Sequence, residues 1–536
     1  MVNLPIRALG DLGVITDVEP HSLPLNAFSF AKNVRFDEGK VSRSPVFRTV
    51  KASLGFDPRL AFGVSSSSGF DTVIMVSDAW VIQEYSNGSL TNRSGSVSGS
   101  TSTVPFTGTS LANVTYLNRS DRVPVFRLNT GTNFADLTNW DANWRASSLR
   151  AYGDFLIALN MTEGSTNYPQ RVRYSTLALA NAVPSTWDAT DTTQSAGFND
   201  LVQMKSAIVD GSSLGSSFII YSSDQVWAMD FVGGAFIFNF RKLFADTGVI
   251  NQNCIVEAEG KHFVFGTDDI YVHDGNTKQS IVDERVKNFI FNSMQTGVTD
   301  RFFAHHNPLL SEIYFCYVSG DPYVVFPNAE RCNRAAVYNY KNGSWSFLDL
   351  PNISTATIAN VNSVSTFAST SISYNLIGGT YYSQEGGYDQ HFLMAGKSNS
   401  SDGLSSDKLY GLDLSDTGVL TFAADSEALK SPYLERTGID LDDQGLTLSG
   451  YKVISKITPQ ITTTNTNKNV SFTFGASNLA SDNTSYGTAV TFTTNIDSKI
   501  DTRVAGRYLS YKMEISDVKD FSFVGFDAEL NATGRR

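Results

Sequence analysis

The chain has 536 residues, of which 41% are hydrophobic, 12% are aromatic and 18% are charged, and its formal net charge is −12. The excess of acidic groups argues against a protein that binds nucleic acid or an anionic membrane through charge attraction. Three cysteines, Cys254, Cys316 and Cys332, lack the spacing of a metal site, so we expect reduced residues of a core. Frequent Phe and Tyr together with Ser, Thr, Asn and Gly favour strands and turns, and predict an all-β fold.

The sequence also lacks the signals of secretion and of membrane insertion. The N-terminus has no basic start followed by an apolar run. No stretch approaches the ~20 apolar residues that a membrane-spanning helix needs. We therefore expect an unsecreted protein with no membrane-spanning segment.

Residues 1–50 predict an extended N-terminal arm and a hairpin. Pro20 and Pro24 disfavour helix in the residues before them, and apolar residues such as Phe28 need a surface to pack against. A hairpin turn is expected at Asp37 to Gly39. We expect the arm to cross the C-terminal domain and then to enter the first meander. An arm that lies on the central domain alone is the alternative.

Residues 51–424 contain a series of antiparallel meanders, in which an apolar strand, a polar loop and an aromatic-rich strand follow one another. Residue pairs typical of tight hairpin turns recur in them, namely Asn87-Gly88, Thr130-Gly131, Gly233-Gly234, Asp274-Gly275 and Asn342-Gly343. Meanders that recur irregularly every ~40 to ~75 residues predict a β-propeller-like ring of six or seven blades. A set of stacked sandwiches is the alternative.

Two other segments depart from this pattern. Residues 282–295 predict a helix, with Asp283 and Glu284 in its first turn and an apolar face that includes Phe289. From 425 to 536 the strands become longer and alternate regularly, which predicts an antiparallel β-sandwich that serves as a platform domain. We place the domain boundary near residue 425.

The sequence contains no constellation typical of a catalytic, metal or cofactor site. Asp268 and Asp269 are adjacent, so on a strand their side chains point to opposite faces and cannot form a carboxylate pair. His305 and His306 fail as a metal pair for the same reason. We therefore expect a protein that is not an enzyme and carries no cofactor.

A few residues are candidates for contacts between subunits. Arg503 and Arg507 are four residues apart, so on one strand they would share a face with Asp501. Exposed ion pairs are the simpler interpretation, and an interface is the other, because Arg and Tyr are enriched in interfaces. We expect Arg35, Arg43 and Arg48 at the surface or in an interface. The candidate assembly residues are Phe28, Arg35, Arg43, Arg503, Arg507 and Tyr508.

Two segments at opposite ends of the chain resemble one protein family. They are "LPIRALGDLGVITDVEPHSLPLNAFSFAKNVRFDEGKVSRSP" near the front and "KIDTRVAGRYLSYKMEI", followed by "FSFVGFDAEL", at the back. Both are similar to the tail nozzle proteins, also called tail-stabilisation or tail tubular B proteins, of short-tailed bacteriophages. The meanders add only general support, because propellers carry many functions.

The resemblance implies a structural virion protein, assembled in the host cytoplasm and located in the phage tail. Six copies would form a ring that docks on the tail adaptor protein, carries tail fibre proteins outside and lets genomic DNA pass through without specific binding. Six chains carry 6 × −12 = −72 charges. An acidic or neutral channel wall would let DNA slide, whereas a basic wall would hold the phosphates.

Three other functions stay open from the sequence. A receptor-binding or glycan-degrading tail protein would show clustered carboxylates or an aromatic platform for sugars, and would commonly form trimers. A bacterial propeller adhesin or enzyme would carry a secretory signal. A head-tail plug protein of the virion would share the fold and differ in its position.

Overall fold

The computed structural model describes residues 2–65, 71–86, 88–97, 99, 104–129, 131–191, 193–234, 236–361, 390–413, 431–446, 450–463, 467–515 and 521–533. Strands make up 54% and helices 5% of the structure, and most sheets are antiparallel. The prediction of an all-β fold is confirmed. No helix in these ranges is long and apolar enough to cross a membrane.

The N-terminal arm contributes five short strands to sheets elsewhere in the molecule. They are β1 (Val2–Ile6), β2 (Phe30–Lys32), β3 (Val34–Asp37), β4 (Lys40–Arg43) and β5 (Val46–Lys51). The strands β3 and β4 form a hairpin in which Asp37 faces Lys40. Its two turn residues, Glu38 and Gly39, have φ values of 49° and 75°. This matches the expected turn, since two-residue hairpins favour positive φ at both central positions.

Five antiparallel sheets of four strands follow in chain order, each formed by consecutive strands. The first two are β6 (Leu60–Val64), β7 (Thr72–Val76), β8 (Ile82–Ser86), β9 (Ser89–Asn92), and β10 (Thr107–Leu111), β11 (Val114–Asn118), β12 (Val125–Leu128), β13 (Ala135–Asp136). The third is β14 (Trp144–Tyr152), β15 (Phe155–Glu163), β16 (Thr166–Tyr174), β17 (Gly197–Asp200). The last two are β18 (Ile208–Leu214), β19 (Ser217–Ser222), β20 (Gln225–Phe231), β21 (Phe238–Ala245), and β22 (Ile255–Ala258), β23 (Lys261–Phe265), β24 (Ile270–His273), β25 (Lys278–Ser280).

Two further groups of four strands share one long strand. The strands are β26 (Phe303–Asn307), β27 (Glu312–Tyr317), β28 (Cys332–Asn339), β29 (Ser344–Ala359), β30 (His391–Gly396) and β31 (Lys408–Asp413). The first half of β29 pairs with β28 and its second half pairs with β30. Beyond β30 and β31, the arm strand β5 pairs with β31 and completes the last group.

The seven groups contact one another in succession through their first strands. β6 contacts β10, and the contacts continue through β14, β18, β22 and β26 to β29. The second half of β29 contacts β6 in turn: the Gly63 N–H donates to Thr357 Oγ1 at 2.9 Å, and the Ala61 N–H donates to Thr355 Oγ1 at 3.1 Å. The succession therefore returns to its first sheet. We call residues 46–413 of this arrangement the ring region.

The C-terminal strands form two facing sheets together with the arm. They are β32 (Tyr433–Ile439), β33 (Tyr451–Thr463), β34 (Asn469–Ser477), β35 (Ser485–Tyr486), β36 (Val490–Thr493), β37 (Ile500–Gly506), β38 (Tyr508–Ile515) and β39 (Phe521–Thr533). One sheet joins β3, β4, β39, β33 and β37, with β1 paired to β39. The other joins β2, β32, β38 and β34, with β35 and β36 on β34. Aromatic side chains meet between the sheets, as in Tyr511 and Phe526, whose centroids are 5.2 Å apart.

The arm therefore crosses the C-terminal strands before it reaches the ring region, as expected, but its strand β5 joins the last group of that region instead of the first. Val2 to Ile6 pair with Leu530 to Phe526, and β2 pairs with β32 on one side and, in parallel, with β29 on the other. The alternative of an arm on the central domain alone is wrong. The predicted boundary near 425, and the turn residues Asn87 and Thr130, lie outside the described residues.

The predicted helix over 282–295 is shorter in the structure. The α-helix α1 spans Lys287–Ser293, and no acidic residue lies in its first turn. The expectation for Asp283 and Glu284 is wrong, since Glu284 has a φ of 56° and both precede the helix. The apolar face is confirmed, because Ile290 is buried and Phe289 packs against the largest core cluster. Short 3-10 helices occupy Pro20–Ser22, Thr296–Arg301, Ser400–Asp402 and Asp442–Gln444.

Candidate functional site

The candidate site is the junction where the arm passes between the ring region and the two C-terminal sheets. Phe28 and Phe30 anchor the arm there and are 0% and 4% exposed. Phe30 stacks on Tyr323 with centroids 4.0 Å apart and lies 5.8 Å from Phe347 of β29. Phe28, a candidate assembly residue, is thus enclosed by its own chain and has no surface for another copy to contact.

Arg35 is held by a buried carboxylate of the ring region. Its Nε donates to Glu312 Oε1 at 2.6 Å, and the Tyr314 hydroxyl donates to Glu312 Oε2 at 2.8 Å. Burial raises the pKa of Glu312, although Arg35 opposes that shift. The expectation that Arg35 lies at the surface is wrong, because its partner is inside the chain and only 8% of Arg35 is exposed.

Arg43 and Arg48 are also enclosed, with exposed fractions of 3% and 8%. Arg43 ends β4, and it lines a small cavity together with Asn33 and Asp349. Arg48 lies within β5, opposite Gly411 of β31. The surface prediction is wrong for both arginines, because the arm is built into sheets instead of lying on them.

The tightest link between arm and ring region is a buried polar network around Asp349, which we call the junction network. Asn33 Nδ2 donates to Asp349 Oδ2 at 2.9 Å, and the Asp349 N–H donates back to Asn33 Oδ1 at 3.0 Å. Arg334 donates to Asp349 Oδ1 at 2.6 Å and binds Asp321 through both oxygens. The side chains of Arg334 and Asp349 are fully buried. Lys32 Nζ lies 3.2 Å from Asp349.

The C-terminal candidates do not form one face. Arg503 lies exposed on β37, whereas Arg507 lies in the bend between β37 and β38, so the prediction of a shared strand face is wrong. Asp501 forms an ion pair with Lys499, in which Asp501 Oδ2 lies 2.9 Å from Lys499 Nζ. The Arg507 guanidinium lies 6.0 Å from the centre of the Tyr451 ring.

Tyr508, the last candidate, is 9% exposed, and its ring lies 6.2 Å from that of His21 in the arm. It therefore links β38 to the arm within one chain. Its role in contacts between copies, and those of Arg503 and Arg507, stay predictions.

A polar cavity of about 480 Å³ lies where the first strands of the ring region meet. Several of its charged groups are paired: Arg150 binds Asp210 through both oxygens, at 2.9 and 2.5 Å, and Arg59 lies 3.1 Å from Asp78 and 3.8 Å from Asp300. These ion pairs make much of the lining polar.

The neighbouring histidines His305 and His306 bind different partners, and Asp269 has a partner of its own. His305 donates through Nδ1 to the His306 carbonyl at 3.0 Å, and burial lowers the pKa of His305 to about 4. His306 lies instead 3.2 Å from the Tyr340 hydroxyl. Asp269 accepts a hydrogen bond from Ser280 at 2.6 Å. Within the described ranges, no group of three or more His, Cys, Asp or Glu side chains could hold a metal.

Neither the junction network nor the role of β5 was predicted from the sequence. Asn33 stands between two strands with a φ of 58°, a conformation that Asn tolerates better than most residues. Asn33 separates two short apolar runs, and this break is the signal in the sequence that could have marked Asn33 as a special position. Asp349 and Arg334 carry no comparable signal, because their pairing depends on a register that only the folded sheet defines.

No protein-family model matches this chain, and no curated protein matches it. A proposal about its function therefore depends on the two end segments, on the junction that joins them and on the ring region between them.

Proposed function

We propose that this chain is a structural subunit of the tail nozzle of a short-tailed bacteriophage. Six copies form a ring that docks on the tail adaptor, encloses a channel for the genome during ejection and offers attachment surface for tail fibres. One observation carries this proposal. The two segments that resemble nozzle proteins, more than 400 residues apart, form one unit in which β1 and β4 of the arm pair with β39.

The ring region supports the same proposal. We interpret its seven four-stranded groups as the blades of a β-propeller, with β5 as the outer strand of the last blade. Pairing of a strand from the start of the region with the last sheet is a way to close a propeller, since it ties both ends of the ring together. The return contact of β29 with β6, through Gly63 and Thr357, supports this interpretation.

The two facing sheets would serve as the platform, a β-sandwich through which neighbouring copies contact each other. Arg503 is the candidate interface residue that lies exposed. Because the arm is buried inside the same unit, the unit can act as a rigid body during assembly. A rigid surface loses less conformational entropy on association than a flexible one.

The net charge suits a channel through which DNA slides. We propose that acidic and neutral side chains face the channel, because a basic wall would bind the phosphates and slow ejection. A map of the assembled ring that shows a basic channel wall would contradict this part of the proposal.

Electron microscopy of the purified chain mixed with the adaptor ring of the same phage tests the proposal. Six-fold rings stacked on the adaptor are the expected result, and the adaptor alone is the control. Trimers that do not bind the adaptor, or hydrolysis of host polysaccharide by the chain, would instead favour the receptor-binding or glycan-degrading alternative.

A further inference from the structure

A groove of about 470 Å³ lies on the outer face of the C-terminal sheet that contains β2, β32, β38 and β34. The register places Tyr433 opposite Lys32 on one side and Glu514 on the other. Two residues further along, Glu435 is opposite Lys512. Side chains two residues apart share a sheet face, so these groups form one polar surface. The alternate residues, Leu434, Met513 and Phe472, are buried on the opposite face.

The floor of the groove is fixed by a buried carboxylate. The Tyr433 hydroxyl donates to Glu435 Oε2 at 2.7 Å, and the Tyr486 hydroxyl donates to Glu435 Oε1 at 2.6 Å. Burial, together with the bond to Glu435, raises the pKa of both tyrosines. Both hydroxyls therefore stay protonated and point their hydrogens at Glu435, which leaves their oxygens available as acceptors.

An aromatic side chain forms one wall of the groove. Tyr323 stacks on Phe30, with centroids 4.0 Å apart and an angle of 20° between the rings. Its carbonyl accepts a hydrogen bond from Lys32 Nζ at 2.6 Å. The loop that carries Tyr323 is anchored by Asp321, which pairs with the fully buried Arg334. The wall is thus held in place before any ligand arrives.

The groove is lined by charges of both signs, Lys32, Lys512 and Glu514, which disfavours a ligand that carries a net charge. An anion would lie beside the carboxylates of Glu435 and Glu514. A cation beside Glu435 would meet the ammonium group of Lys512, whose Nζ already lies 4.0 Å from the centre of the Tyr486 ring and 3.5 Å from Glu435. What remains is a neutral ligand that both donates and accepts hydrogen bonds.

We propose that this groove binds the pyranose ring of a neutral saccharide. Glu514 is exposed, and its carboxylate pairs with no residue that the structure describes, so it can accept from sugar hydroxyls. Lys512 can donate to a hydroxyl, and Thr473, which also lines the groove, can do either. Tyr323 supplies an aromatic surface for the C–H bonds of the ring. The volume falls within the range of about 300–1,000 Å³ that is usual for small-molecule sites.

This inference does not depend on the proposed tail function. It rests on the groove of one chain, and it would hold for a monomer as well as for a ring. In a tail protein, such a site would add a contact with surface sugars of the host to a structural role.

Saturation-transfer NMR on the full-length chain tests the proposal. The probes are methyl glucoside, methyl galactoside and methyl N-acetylglucosaminide at millimolar concentration. Signal transfer to the ring protons of at least one probe is expected. Glu514→Ala and Thr473→Val should each weaken binding by about fivefold, the effect of losing one hydrogen bond. Glu19→Ala removes an exposed glutamate of the arm outside the groove and should leave binding unchanged.

Thermal melts of each variant separate loss of the site from loss of the fold. Both groove variants change a side chain that is partly or fully exposed, so their melting temperatures should match that of the unchanged chain. If no probe shows transfer, the proposal is wrong. It is equally wrong if Glu514→Ala and Thr473→Val bind the probe as tightly as Glu19→Ala does.

Discussion

The ring region and the two facing C-terminal sheets are both antiparallel, yet they are assembled in opposite ways. In the ring region, six of the seven groups come from strands that follow one another along the chain. In the C-terminal sheets, the arm supplies β1 to β4, and Arg7 donates a hydrogen bond to the Phe526 carbonyl across 519 positions. Contacts so distant in sequence cost more loop-closure entropy and form late. The C-terminal unit thus depends on both chain ends, whereas in the ring region only the last group needs a strand from the arm, namely β5.

Removal of residues 1–30 should destabilise the C-terminal unit far more than the ring region. The deletion removes nine buried apolar side chains, among which the large ones include Leu4, Ile6, Val14, Phe28 and Phe30. Each costs ~2–5 kcal/mol in a core, and together they exceed the ~5–15 kcal/mol that stabilises a typical domain. Hydrogen exchange should show β33 and β39 unprotected while β14 to β16 stay protected. Glu19→Ala is the matched control in the same arm, and a truncated chain that melts normally would contradict the account.

The junction network should be the next most sensitive point, because it joins the two regions. Asp349→Ala leaves Arg334 buried with one partner fewer and removes the carboxylate that accepts from Asn33 Nδ2, while the backbone N–H of residue 349 keeps its bond to Asn33 Oδ1. Breaking a buried pair in this way costs ~3–5 kcal/mol. Urea unfolding measures this loss. Asp501→Ala, which removes an exposed partner of Lys499, is the control and should change little. Equal effects of the two substitutions would show that the network does not hold the regions together.

Acid should destabilise the ring region selectively, through a pair of buried histidines. His262 Nε2 donates to the Ser213 carbonyl at 2.8 Å, so its Nδ1 must accept from the Tyr221 hydroxyl, 2.7 Å away. The same hydroxyl lies 2.6 Å from His273 Nε2. Burial lowers the pKa of His262 to about 4 and, with the repulsion of His262, that of His273 to about 3.

The direction in which pH changes the stability follows from the ordinary histidine pKa, which is about 6.5 in the unfolded chain. Below that pH the unfolded chain binds protons that the folded chain excludes, so stability is full above pH ~6.5 and falls until the folded pKa is reached. At pH ~5 the loss is about 2 kcal/mol for each histidine. Five of the six histidines lie in the ring region and the sixth, His21, packs against Tyr508 of β38, so hydrogen exchange should accelerate in β23 and β24 and not in β33 between pH 7 and 5. Uniform acceleration would contradict this account.

The smallest effect on the fold is expected at Arg503. This side chain is exposed on β37, so Arg503→Ala should change the free energy of unfolding by less than ~0.5 kcal/mol. If Arg503 lies in an interface between copies, the same substitution should reduce ring formation on the adaptor, as counted in electron micrographs. Normal ring formation would remove Arg503 from the candidate interface.

The sequence predicted the parts of this structure that local patterns control. The all-β fold, the Glu38-Gly39 turn and the arm that crosses the C-terminal strands follow from alternation, turn residues and proline placement. The burial of Arg35 and Arg43 could not be predicted, because an arginine in a short strand looks exposed until Glu312 or another partner is placed beside it. The prediction that Arg503 and Arg507 share a strand face is wrong because a bend at Arg507 interrupts the alternation of the strand.

We propose that both chain ends build one unit that lets six copies surround a DNA channel. Cryo-electron microscopy of phage particles assembled with this chain tests this proposal. We expect a single ring of six copies at the distal end of the tail, with the two C-terminal sheets of each copy in contact with the next copy. Three copies, or copies found only on fibres, would contradict it.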